Sequence, residues 1–203
     1  MIDDAALHRQ ARRLATLAAM ARPVQHDLNN LLTVILANVE LLKRTAAEGG
    51  PQRQLDRIQQ AAKRLEDGMR AILTLSRRPV PEEVVAAPLE GLRLLAPVLR
   101  LLLAAPGALA LDLPEGEAWK VRLDRAALEE ALLDLVREAA ATLPRGTTLG
   151  IALTQPDGAV QLVVGWPEGV PGPSEAVLAG FTALGAEPAG PGRLLLRWPR
   201  EAA

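Results

Sequence analysis

The stretch VQHDLNNLLTVILANVELL, Val24 to Leu42, decides how the first part of this chain folds. In it Val24, Leu28, Leu31, Ile35, Asn38 and Leu42 recur at alternating spacings of four and three, with only Asn38 polar. That spacing is a heptad seam on one side of an α-helix. A second run answers it, with Leu55, Ile58, Ala62, Leu65, Met69 and Ile72 at the same alternation. Between the two lies EGGPQ, where Gly49 and Gly50 can close one helix in left-handed geometry and Pro51 suits the first turn of the next. Residues 1–78 therefore read as a helical hairpin. Two arms alone offer few neighbours for apolar stripes this wide, so a second copy is expected to complete a dimeric four-helix bundle. Pro23 removes a backbone donor and predicts a kink or break near Ala21 to Pro23.

The heptads stop at RRPVPEEVVAAP. Its prolines at 79, 81 and 88 mark residues 79–88 as a linker, with a second domain over 89–203. There PLEGLRLLAPVLRLLL reads as a helix, ALALDLP and WKVRL as strands, and DRAALEEALLDLVREAAATLP as an amphipathic helix. TLGIAL, AVQLVVGW and GRLLLRW are short β-rich runs separated by Pro and Gly turns. Strands mixed with packing helices predict an α+β sandwich.

Composition narrows the function classes. A chain of 203 residues can hold one large domain or two small ones. Hydrophobic residues make up 49% and aromatics 2%, so the interior must be built from Leu, Ala and Val. Net charge is −1, and acidic residues balance the arginines along the chain, which argues against a nucleic-acid partner. No cysteine is present, which excludes a disulfide framework and thiolate metal ligation. The charged start MIDDAALHRQARRLATLAAM lacks a secretory apolar core. The most membrane-like run, Leu92 to Leu111, is broken by Arg93, Pro97, Arg100 and Pro106. The expectation is a cytoplasmic protein with no membrane partner.

His26 is one of two histidines. At about 100° per residue, His26, Asn30, Thr33, Ala37 and Glu40 share one stripe, while Leu28, Leu32, Ile35, Val39 and Leu42 lie on the opposite side. Position alone would make His26 a solvated surface residue. Its neighbours argue otherwise: Asp27 can accept from one ring nitrogen and leave the other as a nucleophile at neutral pH, and Asn30 can orient a water or a phosphoryl oxygen. His8, in LHRQARR, has no such company and reads as solvated.

HDLNNLLTVILANVELL resembles the H-box of the sensor histidine kinases, in which the hairpin is the dimerisation and phosphotransfer domain. The resemblance implies that His26 carries the phosphoryl group, that Asp27 assists proton transfer, and that Asn30 supports hydrolysis of a phosphorylated receiver. The second half resembles the ATP-binding domain of the same kinases, with Asp124, Leu128, Leu132, Leu135, Ala139 and Pro144 in the frame of the N-box helix. Asp134 and Glu138, however, stand where that family has two asparagines, the second its Mg²⁺ ligand, and Ala141 replaces an aspartate. The adenine-reading D-x-G-x-G becomes Gly165-Trp166-Pro167-Glu168-Gly169, and no glycine-rich loop and helix follow Phe181. Gly169, Gly172, Gly190 and Gly192 read as turn residues, and Trp166 and Trp198 as packing residues.

These readings together predict an α+β chain: a hairpin forming a dimeric four-helix bundle, then a degenerate ATPase-like α/β sandwich. The predicted function is histidine phosphotransfer between response-regulator receiver domains through His26, without ATP. No tightly bound cofactor is expected, Mg²⁺ being supplied by the partner receiver; a hybrid histidine kinase is a further partner. The competing readings are a non-catalytic dimer that sequesters a receiver or kinase, a phosphatase acting through Asn30, and an ATP-dependent autokinase, the last disfavoured by the three altered nucleotide motifs.

Overall fold

Apolar residues in this chain fall at two periods, and each period builds its own unit. The computed structural model describes residues 30–46, 49–77, 85–103, 108–156 and 158–201. The chain divides into Met1–Arg78 and Pro79–Ala203.

In the first unit helix α1 occupies residues 30–45 and helix α2 runs Gly50–Arg77. Gly49, at φ +103°, makes the left-handed turn between them, and its carbonyl accepts from Arg53 N at 3.1 Å to start α2. A polar clasp sets the antiparallel pairing. The Lys43 ammonium lies 2.8 Å from the Asp56 carboxylate and donates to Gln59 Oε1 at 3.0 Å, while Gln59 Nε2 donates to Glu40 Oε2 at 3.4 Å. Leu32, Val39, Ala62 and Ala71 are the buried apolar positions of the hairpin. Of the heptad seams only Ala62 is among them, with Leu55 and Met69 half-buried. Leu31, Ile35 and Leu42 on α1 and Ile58, Leu65 and Ile72 on α2 remain 42–60% exposed. Two helices in contact bury only a narrow strip, and Leu32 and Val39 fill it with two small alanines. The larger residues are left on the flank. Pro23, with its expected kink, lies outside the described residues.

The second unit is a helical layer on a five-stranded sheet. Its elements are β1 (Val85–Ala86), α3 (Pro88–Leu102), β2 (Leu109–Asp112), β3 (Val121–Arg122), α4 (Arg125–Thr142), β4 (Leu149–Thr154), β5 (Ala159–Gly165), α5 (Glu175–Ala183), β6 (Glu187–Pro188) and β7 (Arg193–Pro199). The large sheet has the order β2-β4-β5-β7-β6, with β2 and β4 parallel and the other neighbours antiparallel. A parallel pair needs a long crossover, and α4 lies on that connection. β1 and β3 form a separate antiparallel pair, so Val85–Ala86, within the stretch read as linker, is part of this unit's structure.

Alternation along the strands explains the layering. Leu149, Ile151 and Leu153 on β4, Val160, Leu162 and Val164 on β5, and Leu196 and Trp198 on β7 are buried, whereas their alternate neighbours are half-buried or exposed. Against them lie Leu89, Leu92, Leu95 and Leu99 of α3, Leu128, Leu132 and Leu135 of α4, and Phe181 of α5. Each such side chain contributes roughly 1.5–3 kcal/mol by leaving water. That burial offsets the lost backbone bond at Pro97, and α3 runs through it. α4 starts where Asp124 Oδ1 accepts from Ala127 N at 3.0 Å. α5 was not foreseen from the sequence. Nine residues are too few to show a periodic stripe, although the Ser174-Glu175 start is a capping signal.

One glycine is held by both conformation and space. Gly192 has φ +64°, and a Cβ there would sit 2.8 Å from the carbonyl oxygen of Trp166, whose own N–H donates to Gly192 O at 2.7 Å. Gly158 has φ +70° but nothing within 4 Å of its Cβ position. Gly158→Ala is expected to cost only the left-handed strain of about 1–2 kcal/mol, and Gly192→Ala distinctly more, as read from urea midpoints. A second prediction concerns the hairpin. The bond to Asp56 raises the Lys43 pKa above its ordinary 10.5, with Glu40 adding to the effect. The charged form is favoured in the fold, so this contribution is complete below pH 10.5 and disappears as pH rises through the raised value. Thermal unfolding should show an alkaline loss of hairpin stability that Lys43→Met lacks.

Candidate functional site

The candidate phosphotransfer site begins from three residues, and the structure describes one of them. Asn30 is the first described residue of α1, helical and exposed. His26 and Asp27 lie outside the described residues. The stripe assigned to the outer face is exposed where it is described: Asn30, Thr33, Ala37 and Glu40 face solvent, while Leu32 and Val39 are buried. Asn38, the polar member of the heptad seam, donates from Nδ2 to Val34 O at 2.8 Å. One amide N–H is thereby paired within its own helix, and the side chain is exposed.

In the second unit, the residues that depart from the N-box pattern have structural partners. Asp134 lies 2.9 Å from Arg137 on the same helix, a solvated pair of small energetic weight. Glu138 reaches across 36 residues to Ser174. Its Oε1 accepts from Ser174 N and its Oε2 from Ser174 Oγ, both at 2.5 Å. Ser174 is the N-cap of α5, its Oγ accepting from Val177 N at 3.5 Å. A carboxylate at a helix start also meets the positive end of the helix dipole. Glu138 thus ties α4 to α5 through both its oxygens. Ala141 is exposed.

The segment between β5 and α5 is held at a second point. The Trp166 side chain is buried, and its Nε1 donates to Pro171 O at 2.6 Å. Trp166 and Trp198 both pack in the interior, as their sequence context suggested. Gly169, Gly190 and Gly192 adopt positive φ in turns; Gly172 does not. Among the described residues, no three His, Cys, Asp or Glu side chains gather to hold a metal ion. No helix among them is long and apolar enough to cross a membrane.

The Glu138 clasp was missed at the sequence level. The available signal was Ser174, a cap residue directly before an acidic residue and an apolar pair. Nothing local links it to Glu138, because the two meet only when α4 and α5 pack.

Comparison with known proteins bears on the first unit. No curated protein matches the chain. Three solved structures similar to it are a histidine kinase from Burkholderia phymatum, full-length ShkA in complex with AMPPNP, and ThkA in complex with the response regulator protein TrrA. The first is 19% identical, with 96% of this chain and 99% of that chain covered and a TM-score of 0.42. ShkA is 16% identical at 0.41, with 95% of this chain covered; this chain spans about half of it, 47%. ThkA is 20% identical at 0.36, covering 96% of this chain and 65% of that chain. Residues 16–79 match the family described as His Kinase A (phospho-acceptor) domain, a span that contains His26, Asp27 and Asn30. By this match the chain is histidine-kinase-like over residues 16–79.

Proposed function

We propose that this chain is a histidine phosphotransfer protein of a two-component phosphorelay. The His26 imidazole attacks the phosphorus of an aspartyl phosphate on a receiver domain, the bond from phosphorus to the aspartate oxygen breaks, and the phosphoryl group later passes to another receiver. Asp27 holds the ring tautomer and assists the proton, and Asn30 orients the phosphoryl oxygens or a water. Such in-line transfer needs mainly alignment of donor and acceptor, which receiver docking on the exposed face of Asn30, Thr33 and Ala37 would supply. The Mg²⁺ for the step belongs to the receiver.

The observation that carries a protein donor rather than ATP is the bonding of Glu138. The kinase N-box has an amide at this position, whereas here a carboxylate stands there with both oxygens engaged by Ser174. A triphosphate brought to this place meets like charge, and two unit charges at about 4 Å interact by roughly 4 kcal/mol at intermediate dielectric. Among the described residues, Arg193 is the only basic side chain lining the neighbouring cavity, which is otherwise apolar. The residues present fit a magnesium nucleotide poorly, and no step is assigned to one.

A homodimer completes the proposal. The exposed stripe of Leu31, Ile35, Leu42, Ile58, Leu65 and Ile72 is what a second hairpin would bury in a four-helix bundle.

Two experiments test these statements. Incubation with a phosphorylated receiver should leave acid-labile label on the wild-type chain and none on His26→Ala. Label on His26→Ala, or none on wild type across a set of cognate receivers, overturns the transfer role; receiver binding that survives His26→Ala without label identifies a sequestering dimer instead. Asn30→Ala should lower any receiver dephosphorylation by about tenfold or more while sparing the label. For assembly, sedimentation should give a dimer for wild type and a monomer for Ile35→Asp combined with Leu65→Asp. A monomeric wild type at micromolar concentration would refute the bundle.

A further inference from the structure

A cavity of about 260 Å³ opens between α4, α5 and the adjoining ends of β5 and β7. Leu135, Val164, Trp166, Leu178 and Leu194 line it, so its wall is aliphatic with one indole. Interiors of folded domains hold few voids larger than a water molecule, and an apolar cavity of about 150 Å³ already accepts a benzene. This one has room for a body of about twice that size.

Two features set it apart from a packing defect. Its wall is braced: Trp166 is anchored to Pro171, and Pro173, another lining residue, precedes the Ser174 that Glu138 grips. A cavity whose walls are held in place by such bonds does not collapse when empty, and a ligand entering it has little ordering cost. The second feature is at the mouth. Arg193 lines the opening and is exposed, and no acidic group among the described residues pairs with its guanidinium. An apolar interior beside the guanidinium of Arg193, the one basic side chain of the lining among the described residues, is complementary to one class of molecule.

We propose that this cavity binds a small amphiphilic carboxylate, its apolar body against Leu178, Leu194 and Trp166 and its anionic head at Arg193. None of these residues belongs to the hairpin, so the assignment does not rest on His26 chemistry, although it shares with that reading the poor fit of this place to a nucleotide. The indole of Trp166 grips the ligand's side, and the guanidinium forms charge-assisted hydrogen bonds to the head group. The site is too small and too apolar for a nucleotide.

Calorimetric titration of the full chain with octanoate tests it, with 1-octanol and Mg-ATP as comparison probes. Octanoate should bind one-to-one and about tenfold more tightly than octanol. Arg193→Glu, a surface change, should erase that preference by weakening octanoate about tenfold while leaving octanol alone. Leu178→Trp, which fills the cavity, should abolish binding of both. The proposal is overturned if octanoate does not bind at millimolar concentration, if Arg193→Glu leaves its affinity unchanged, or if Mg-ATP displaces it. Should Leu178→Trp fail to fold, the Arg193→Glu comparison alone decides.

Discussion

The second unit is organised by the burial of one helix, α4, whose Leu128, Leu132 and Leu135 must leave water. Their spacing puts them on one stripe, which meets a sheet face lined by Leu149, Ile151, Leu162 and Val164. That face exists because β4 and β5 alternate strictly. α3 and α5 then fill the space on either side of α4, with Leu95, Leu99 and Phe181 wholly buried. Remove the α4 stripe and the middle of the helical layer is lost, and Glu138 has no fixed position from which to reach Ser174.

The hairpin obeys the same rule with a different outcome. Its apolar residues exceed what two helices can hide, so the contact strip between them is filled by Ala62, Ala71, Leu32 and Val39, and the larger residues stay outside. The polar clasp of Lys43, Asp56, Gln59 and Glu40 sets register without adding apolar burial. A helix pair of this kind has a defined pairing and an unfinished surface. The leucines and isoleucines of the heptad seams stay exposed on one side, and Asn30, Thr33 and Ala37 form a solvated stripe on another.

Two acidic residues of α4, Asp134 and Glu138, have different structural partners. At an amide position either could have been read as a surviving cation ligand. Asp134 instead pairs with Arg137 on the helix surface, and Glu138 locks the start of α5. The lock and the anchored Trp166 hold the segment between β5 and α5, and the neighbouring cavity keeps its shape by the same means.

What the sequence by itself determined here is everything carried by local periodicity and local chemistry. Spacings of three and four specified α2 and α4, alternation specified β4, β5 and β7, and Gly49 with Pro51 specified the turn of the hairpin. The turn glycines Gly169, Gly190 and Gly192 were legible because each acts on residues within one loop, whereas the capping by Asp124 was seen only in the structure. What only the tertiary structure decided are the contacts between residues far apart in sequence. These include the register of Lys43 on Asp56, which heptad residues the hairpin leaves in water, the grip of Glu138 on Ser174, and the apolar cavity under Arg193. α5 belongs with them, since a nine-residue helix is stable only once Val177 and Phe181 are buried against neighbours that the sequence does not place beside it. Short-range geometry follows from bond rotations and side-chain shape along the chain. Long-range contact depends on which buried surfaces meet, and that is settled only when the layers close.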